Sequence, residues 1–90
     1  MREVVQTAQF KKDLKRIARS GRYRVEELLD AVGTLSRDEL LSVRYRDHSL
    51  TGDLAAYREC HIRPDWLLIY KLTPGQLVLV RTGAHSELFD

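Results

Sequence analysis

The sequence has a single cysteine, Cys60, among its 90 residues, so no internal disulfide and no cysteine-based metal cluster can form. Two prolines and five glycines make no Pro- or Gly-rich linker, and there is no repeat or low-complexity stretch. Long hydrophobic runs are missing: the longest, Trp66–Tyr70, is far too short to cross a bilayer. The first twenty residues are dense in Lys and Arg and hold no apolar stretch of signal-peptide type. A large charge of one sign is also absent, since 15 Lys and Arg stand against 13 Asp and Glu. Together these absences exclude a disulfide scaffold and a helical membrane protein. They predict one cytoplasmic domain over residues 1–90.

What is present suits a modest core. Hydrophobic residues make up 43% of the chain, too many for a disordered segment. The charges are unevenly placed. Residues 1–46 carry eleven basic and seven acidic side chains, whereas residues 47–90 carry four basic and six acidic. Lys11, Lys12, Lys15, Arg16, Arg19, Arg22 and Arg24 fall in one block with a single acid, Asp13. Such a block either steers a polyanion or simply solvates a helix face. All three histidines, at 48, 61 and 85, lie in the acidic half.

The local patterns predict an α+β fold of order β-α-α-β-β-β, two helices packed on a small antiparallel sheet. Glu3–Val5 reads as a first strand. Thr7 suits an N-cap for a helix reaching Ser20, with Phe10, Leu14 and Ile17 on one face and Gly21 as its stop. Val25, Leu28, Leu29 and Val32 predict a second helix over 24–35. Ser36-Arg37-Asp38-Glu39 has capping-box spacing and predicts a further helical turn. Asp47–Gly52 reads as a loop. Tyr57–Arg63, Trp66–Leu72 and Leu77–Thr82 then read as strands, the last two joined by a Pro74-Gly75 turn of type II. Gly83–Asp90 is read as a mobile tail.

Alternation puts Tyr57, Glu59, His61 and Arg63 on one strand face, and the hairpin is expected to bring Asp65, Trp66, Arg81 and His85 to one end of the sheet. His61 lies near that edge, and His48 can join from its loop. A His/Asp/Arg cluster suits phosphodiester cleavage: histidine exchanges protons near neutral pH and a guanidinium stabilises charge developing on phosphoryl oxygens. RNA brings its own nucleophile, the 2′-hydroxyl, and an aromatic ring offers a base a stacking surface. Structural readings stand beside these. Trp66 suits a core, Arg81 can pair with Glu59 or Asp65, Asp47-His48 can cap a turn, and Cys60 packs as a small hydrophobe. No H-x-x-x-H or H-x-H spacing supports zinc, and no cofactor is expected.

Asp47-His48-x-Leu50-x-Gly52, then Tyr57-Arg58-Glu59-x-His61-Ile62-x-Pro64-Asp65-Trp66-Leu67-Leu68-Ile69-Tyr70, then Arg81-Thr82-Gly83-x-His85-x-x-Leu88-Phe89 together resemble the YafQ branch of the RelE-like toxins. The resemblance covers about half of the chain, and its departure is Ser49, where relatives carry proline. It implies the RelE-like fold and an mRNA interferase from a bacterial type II toxin–antitoxin pair, cutting messages in the ribosomal A site. By position it implies an active site of His48, His61, Asp65, Trp66, Arg81, His85 and Phe89. In the resulting expectation His85 is the general acid, Asp65 or else His48 the base, and Arg81 the transition-state stabiliser. His61 positions the phosphate or orients Asp65, while Trp66 and Phe89 contact bases. The expected partners are mRNA on the 70S ribosome, ribosomal RNA and a cognate antitoxin, with no membrane and no specific DNA contact. The basic block, with Arg44 and Arg46, would meet ribosomal RNA, the last two also suiting the message. The competing expectations are a catalytically inactive RNA- or antitoxin-binding module of the same fold and a DNA-binding protein. No helix-turn-helix followed by a dimerising segment supports the latter.

Overall fold

In the structure, a computed structural model, residues 1–89 are described. The α+β class holds, with three helices on a five-stranded sheet. Strand β1, Glu3–Gln6, leads into helix α1, Ala8–Ser20. The Thr7 hydroxyl accepts from the Phe10 N–H at 3.0 Å and donates to the Val80 carbonyl, so one side chain both caps α1 and ties it to the sheet. Gly21 closes the helix at φ 67°, in the left-handed region that glycine enters freely. Helix α2 spans Val25–Ser36 and buries Leu28, Ala31, Val32 and Leu35.

The expected capping box at Ser36 does not form. Ser36 ends α2, its hydroxyl donates to the Gly33 carbonyl, and Asp38 takes a left-handed conformation that no helix continues. A single 3-10 turn, Val43–Tyr45, precedes the two-residue strand β2, His48–Ser49, where only a loop was expected. After a second 3-10 turn, Gly52–Leu54, come β3 (Arg58–Arg63), β4 (Trp66–Thr73) and β5 (Gln76–Gly83). Gly75 at φ 77° suits the predicted type II turn between the last two. A short helix α3, His85–Phe89, stands where a mobile tail was expected; Asp90 lies outside the described residues.

The sheet runs β1-β5-β4-β3-β2 and is mixed, not wholly antiparallel, because β1 returns through the helices to lie parallel to β5. Helices α1 and α2 cover one face. Phe10, Ile17, Leu28 and Leu35 pack there with Cys60, Ile62, Trp66, Leu68, Tyr70, Leu77 and Leu79. The opposite face carries Leu67 and Ile69, both buried. Leu50, Leu54 and Tyr57 line a groove beside Ile69 together with Leu88 and Phe89 of α3. A bulge in β5 between the partners of Ile69 and Tyr70 shifts the register there. Among the described residues no helix is long and apolar enough to cross a membrane.

Candidate active site

Register and pleat place the functional side chains on the face turned away from α1 and α2. His48 pairs with Glu59, Glu59 with Ile69, and Ile69 with Arg81, a single row across four strands. The neighbouring row is His61, Leu67 and Gly83, and His85 opens α3 two residues further on. With strands about 4.8 Å apart, His48 and Arg81 sit about 14 Å from each other. Histidines therefore flank an apolar floor of Leu67 and Ile69, and side chains from the two sides meet at one phosphate only by reaching inward over that floor.

On the β2–β3 side, His48 Nε2 and His61 Nε2 approach the same Glu59 oxygen at 3.1 and 3.8 Å. The other nitrogen of each ring meets a backbone carbonyl: His48 Nδ1 lies 2.6 Å from the Arg46 oxygen, and His61 Nδ1 lies 3.4 Å from the Pro64 oxygen. A carbonyl only accepts, so each Nδ1 carries a proton, and Nε2 is the nitrogen that faces Glu59. Arg46 reaches this position in a left-handed conformation, φ 49°. Its neighbour Asp47 accepts from the Tyr70 hydroxyl and from Arg58, which pins the loop immediately before His48. Burial and that same Asp47 contact push the Tyr70 phenol well above its usual range.

On the β5 side, Arg81 does not pair with Glu59 or Asp65. It binds Asp13 of α1 through Nε at 2.7 Å and Nη2 at 3.2 Å. Asp13 has no exposed surface. Burial alone would raise its pKa, but Arg81, the Thr82 N–H, Arg16 and Gln9 all donate to it and together hold it below the usual carboxylate range. Arg16, expected at the ribosome interface, stays exposed but is engaged: it bonds Asp13 and the Thr82 carbonyl and pairs with Glu87 of α3 at 3.2 Å. The Glu87 carboxylate also accepts from the Ala84 N–H, which closes α3 onto the end of β5. His85 and Phe89 lie 4.9 Å apart between ring centroids on that helix.

Two expected site residues are placed elsewhere. Trp66 is fully buried on the helix face, stacked under Tyr23 at 4.7 Å and donating from Nε1 to the Thr82 hydroxyl. It is a core residue and presents no surface to a base. Asp65 faces the α1–α2 connection, where the Tyr23 hydroxyl donates to it at 2.6 Å and Arg22 at 2.9 Å. The Tyr23 bond holds its carboxyl below the usual range, helped by the Arg22 charge. Arg22 is thus occupied, and Arg24 lies 3.9 Å from Glu26. Lys11, Lys12, Lys15 and Arg19 are exposed and have no ion pair among the described residues. Arg44 and Arg46 lie in and just after the 3-10 turn ahead of His48.

Glu59 and Asp13 are the groups that sequence reading undervalued. Alternation with His61 marked Glu59's face, and Asp13 stood out as the one acid in a basic block, three residues before Arg16. Among the described residues no group of three or more His, Cys, Asp or Glu side chains is disposed to hold a metal ion.

The family model for a bacterial toxin of type II toxin–antitoxin systems, YafQ, matches residues 2–90. The mRNA interferase toxin YafQ of Escherichia coli K12 is 38% identical over 89 residues, 98% of this chain and 96% of that one. The YafQ chain of the Escherichia coli DinJ–YafQ complex superposes with a TM-score of 0.88 at 36% identity, covering all of both chains. A metal-bound toxin from Helicobacter pylori gives a TM-score of 0.93 at 41% identity, covering 99% of this chain and 100% of that one.

Proposed function

This chain belongs to the YafQ family of bacterial type II toxins, and we propose that it cuts messages in the ribosomal A site by acid–base catalysis that needs no metal. Membership makes it a toxin and an endoribonuclease of the mRNA interferase kind. The finer reading is carried by one observation. In the row of His48, Glu59 and Arg81, with His61 and His85 beside it, proton carriers and a guanidinium share one sheet face.

His48 Nε2 accepts the proton of the 2′-hydroxyl, whose oxygen attacks phosphorus. Glu59 holds that ring through the same Nε2 at 3.1 Å in the free protein and yields it to the 2′-hydroxyl when the message enters. The geometry favours His48 over Asp65 as base, since hydrogen bonds from Tyr23 and Arg22 already weaken the Asp65 carboxylate as a proton acceptor. Arg81 is held by Asp13 through Nε and Nη2, which leaves its Nη1 edge to meet the charged oxygens of the transition state. His85 donates its proton to the departing 5′-oxygen, His61 positions the phosphate, and Phe89 stacks on a base. The new P–O2′ bond replaces the P–O5′ bond, so the products are a 2′,3′-cyclic phosphate end and a 5′-hydroxyl end.

The protein acts where ribosomes are, in the cytoplasm, and docks on ribosomal RNA through Lys11, Lys12, Lys15 and Arg19. A cognate antitoxin is its inhibitory partner, as DinJ is the partner of the Escherichia coli relative. The test is induced expression of wild type beside His85→Ala, with the 5′ ends of cleaved messages mapped. Loss of the acid lowers cleavage by about 10²–10⁴-fold and abolishes growth arrest. Wild-type cleavage by the variant removes the acid assignment. Arrest by both proteins favours a binding module, and cuts without codon register remove the ribosome-dependent step.

A further inference from the structure

The sheet order sets two basic surfaces on opposite sides of the central strand β4. Helix α1, with Lys12, Lys15 and Arg19, packs against β5, whereas the 3-10 turn bearing Arg44 packs against β3. Between that turn, α2 and the β3–β4 turn lies a cleft of about 540 Å³, lined by Glu27, Arg44, Arg46, His61, Arg63 and Pro64. This volume falls within the roughly 300–1,000 Å³ of ordinary ligand sites.

The charges in the cleft are not equivalent. Arg63 is neutralised by Glu27 at 2.6 Å. Arg46 has no ion pair among the described residues, and the side-chain partner of Arg44 is the neutral Tyr45 hydroxyl at 2.9 Å. The Arg44 guanidinium also lies over the Tyr45 ring, 4.4 Å from its centroid, so it is held before any ligand arrives. Two guanidinium groups thus line the cleft without a carboxylate to answer them. His61 is common to this cleft and to the catalytic rows. An RNA strand whose scissile phosphate rests at His61 must continue to one side of it, and this side is cationic.

We propose that Arg44 and Arg46 form a second phosphate subsite, which grips the message at a phosphate flanking the scissile one. The proposal rests on the ribosomal mRNA cleavage reading above and assigns this pair to single-stranded message. Ribosomal RNA is left to the α1 stripe on the other side of β4. Because Arg44 and Arg46 are exposed, their replacement leaves the core untouched.

The experiment is single-turnover cleavage on 70S ribosomes programmed with messages in which one phosphate at a time, within three nucleotides of the cut, is a neutral methylphosphonate. Removing the phosphate charge at the one flanking position that the two arginines grip slows the wild type about tenfold. The same linkage produces no further slowing in the Arg44→Ala/Arg46→Ala protein, which is already slow on the native message. Equal slowing of both proteins at every position overturns the proposal, as does a double variant that cleaves at the wild-type rate. Loss of ribosome co-sedimentation by the double variant, without any linkage-specific effect, overturns it in favour of ribosomal RNA. A wild-type protein that leaves every programmed message whole fails the parent reading instead, a result distinct from all of these.

Discussion

His48 and His61 each commit one ring nitrogen to a backbone carbonyl and turn the other toward Glu59, so one carboxylate sets the orientation of two rings. Glu59→Gln keeps the side chain's shape and removes its charge. It lowers single-turnover cleavage by about 10²-fold while the melting temperature stays near wild type; an unchanged rate would free His48 from the carboxylate. Asp13 works at the same scale by holding Arg81. Its folded pKa lies below the usual value of about 3.9, so its stabilisation is complete above about pH 4 and is lost as pH falls through the folded pKa. Thermal melts from pH 5 to pH 2 therefore fall more steeply for wild type than for Asp13→Asn, which is the less stable of the two at neutral pH. Parallel profiles would show that the buried carboxylate adds no pH-dependent stability. The histidines themselves were legible in the sequence, because residue type and alternation mark them. Their tautomers were not, because they depend on carbonyls that only the folded loops deliver.

At the scale of elements, α3 owes its position to Gly83. A Cβ there would lie 2.8 Å from Arg16 Nη2 and 3.0 Å from Glu87 Oε1, two groups already bonded to each other and to the end of β5. Gly83→Val forces this contact apart, costs about 1–3 kcal/mol in a denaturant melt and displaces His85, so cleavage falls further than stability alone explains. Cleavage retained in full would mean that α3 need not dock. The sequence carried the long elements well. Phe10 and Ile17 spaced along α1, the Thr7 cap, and the Pro74-Gly75 turn each act locally, within a few residues. It misread Ser36 because the S-x-x-E spacing is that of a capping box, whereas Leu35 and Ser36 are buried by packing that α2 continues to follow. It missed α3 because five residues carry too little periodicity, and the helix is fixed by an ion pair to α1, 71 positions away along the chain.

Across the whole molecule the small net charge of +2 separates into surfaces with different neighbours. Replacing Lys12, Lys15 and Arg19 with Glu removes ribosome co-sedimentation and toxicity while the circular dichroism spectrum and melting temperature remain those of wild type, since none of the three is paired inward. Toxicity retained after that reversal would place the ribosomal contact elsewhere. Arg16 is left out of the set because its charge holds α1, β5 and α3 together. By itself the sequence determined the α+β class, the extents of the helices and hairpin, the candidate chemistry and the family, all of which depend on local pattern or on residue identity. The tertiary structure alone decided that β1 runs parallel to β5, that Trp66 is buried beneath Tyr23, that Asp65 turns to the helices, and that Arg81 answers to Asp13. The physical reason is common to these four: each is a pairing between groups distant in sequence, set by which faces the packed layers bring together.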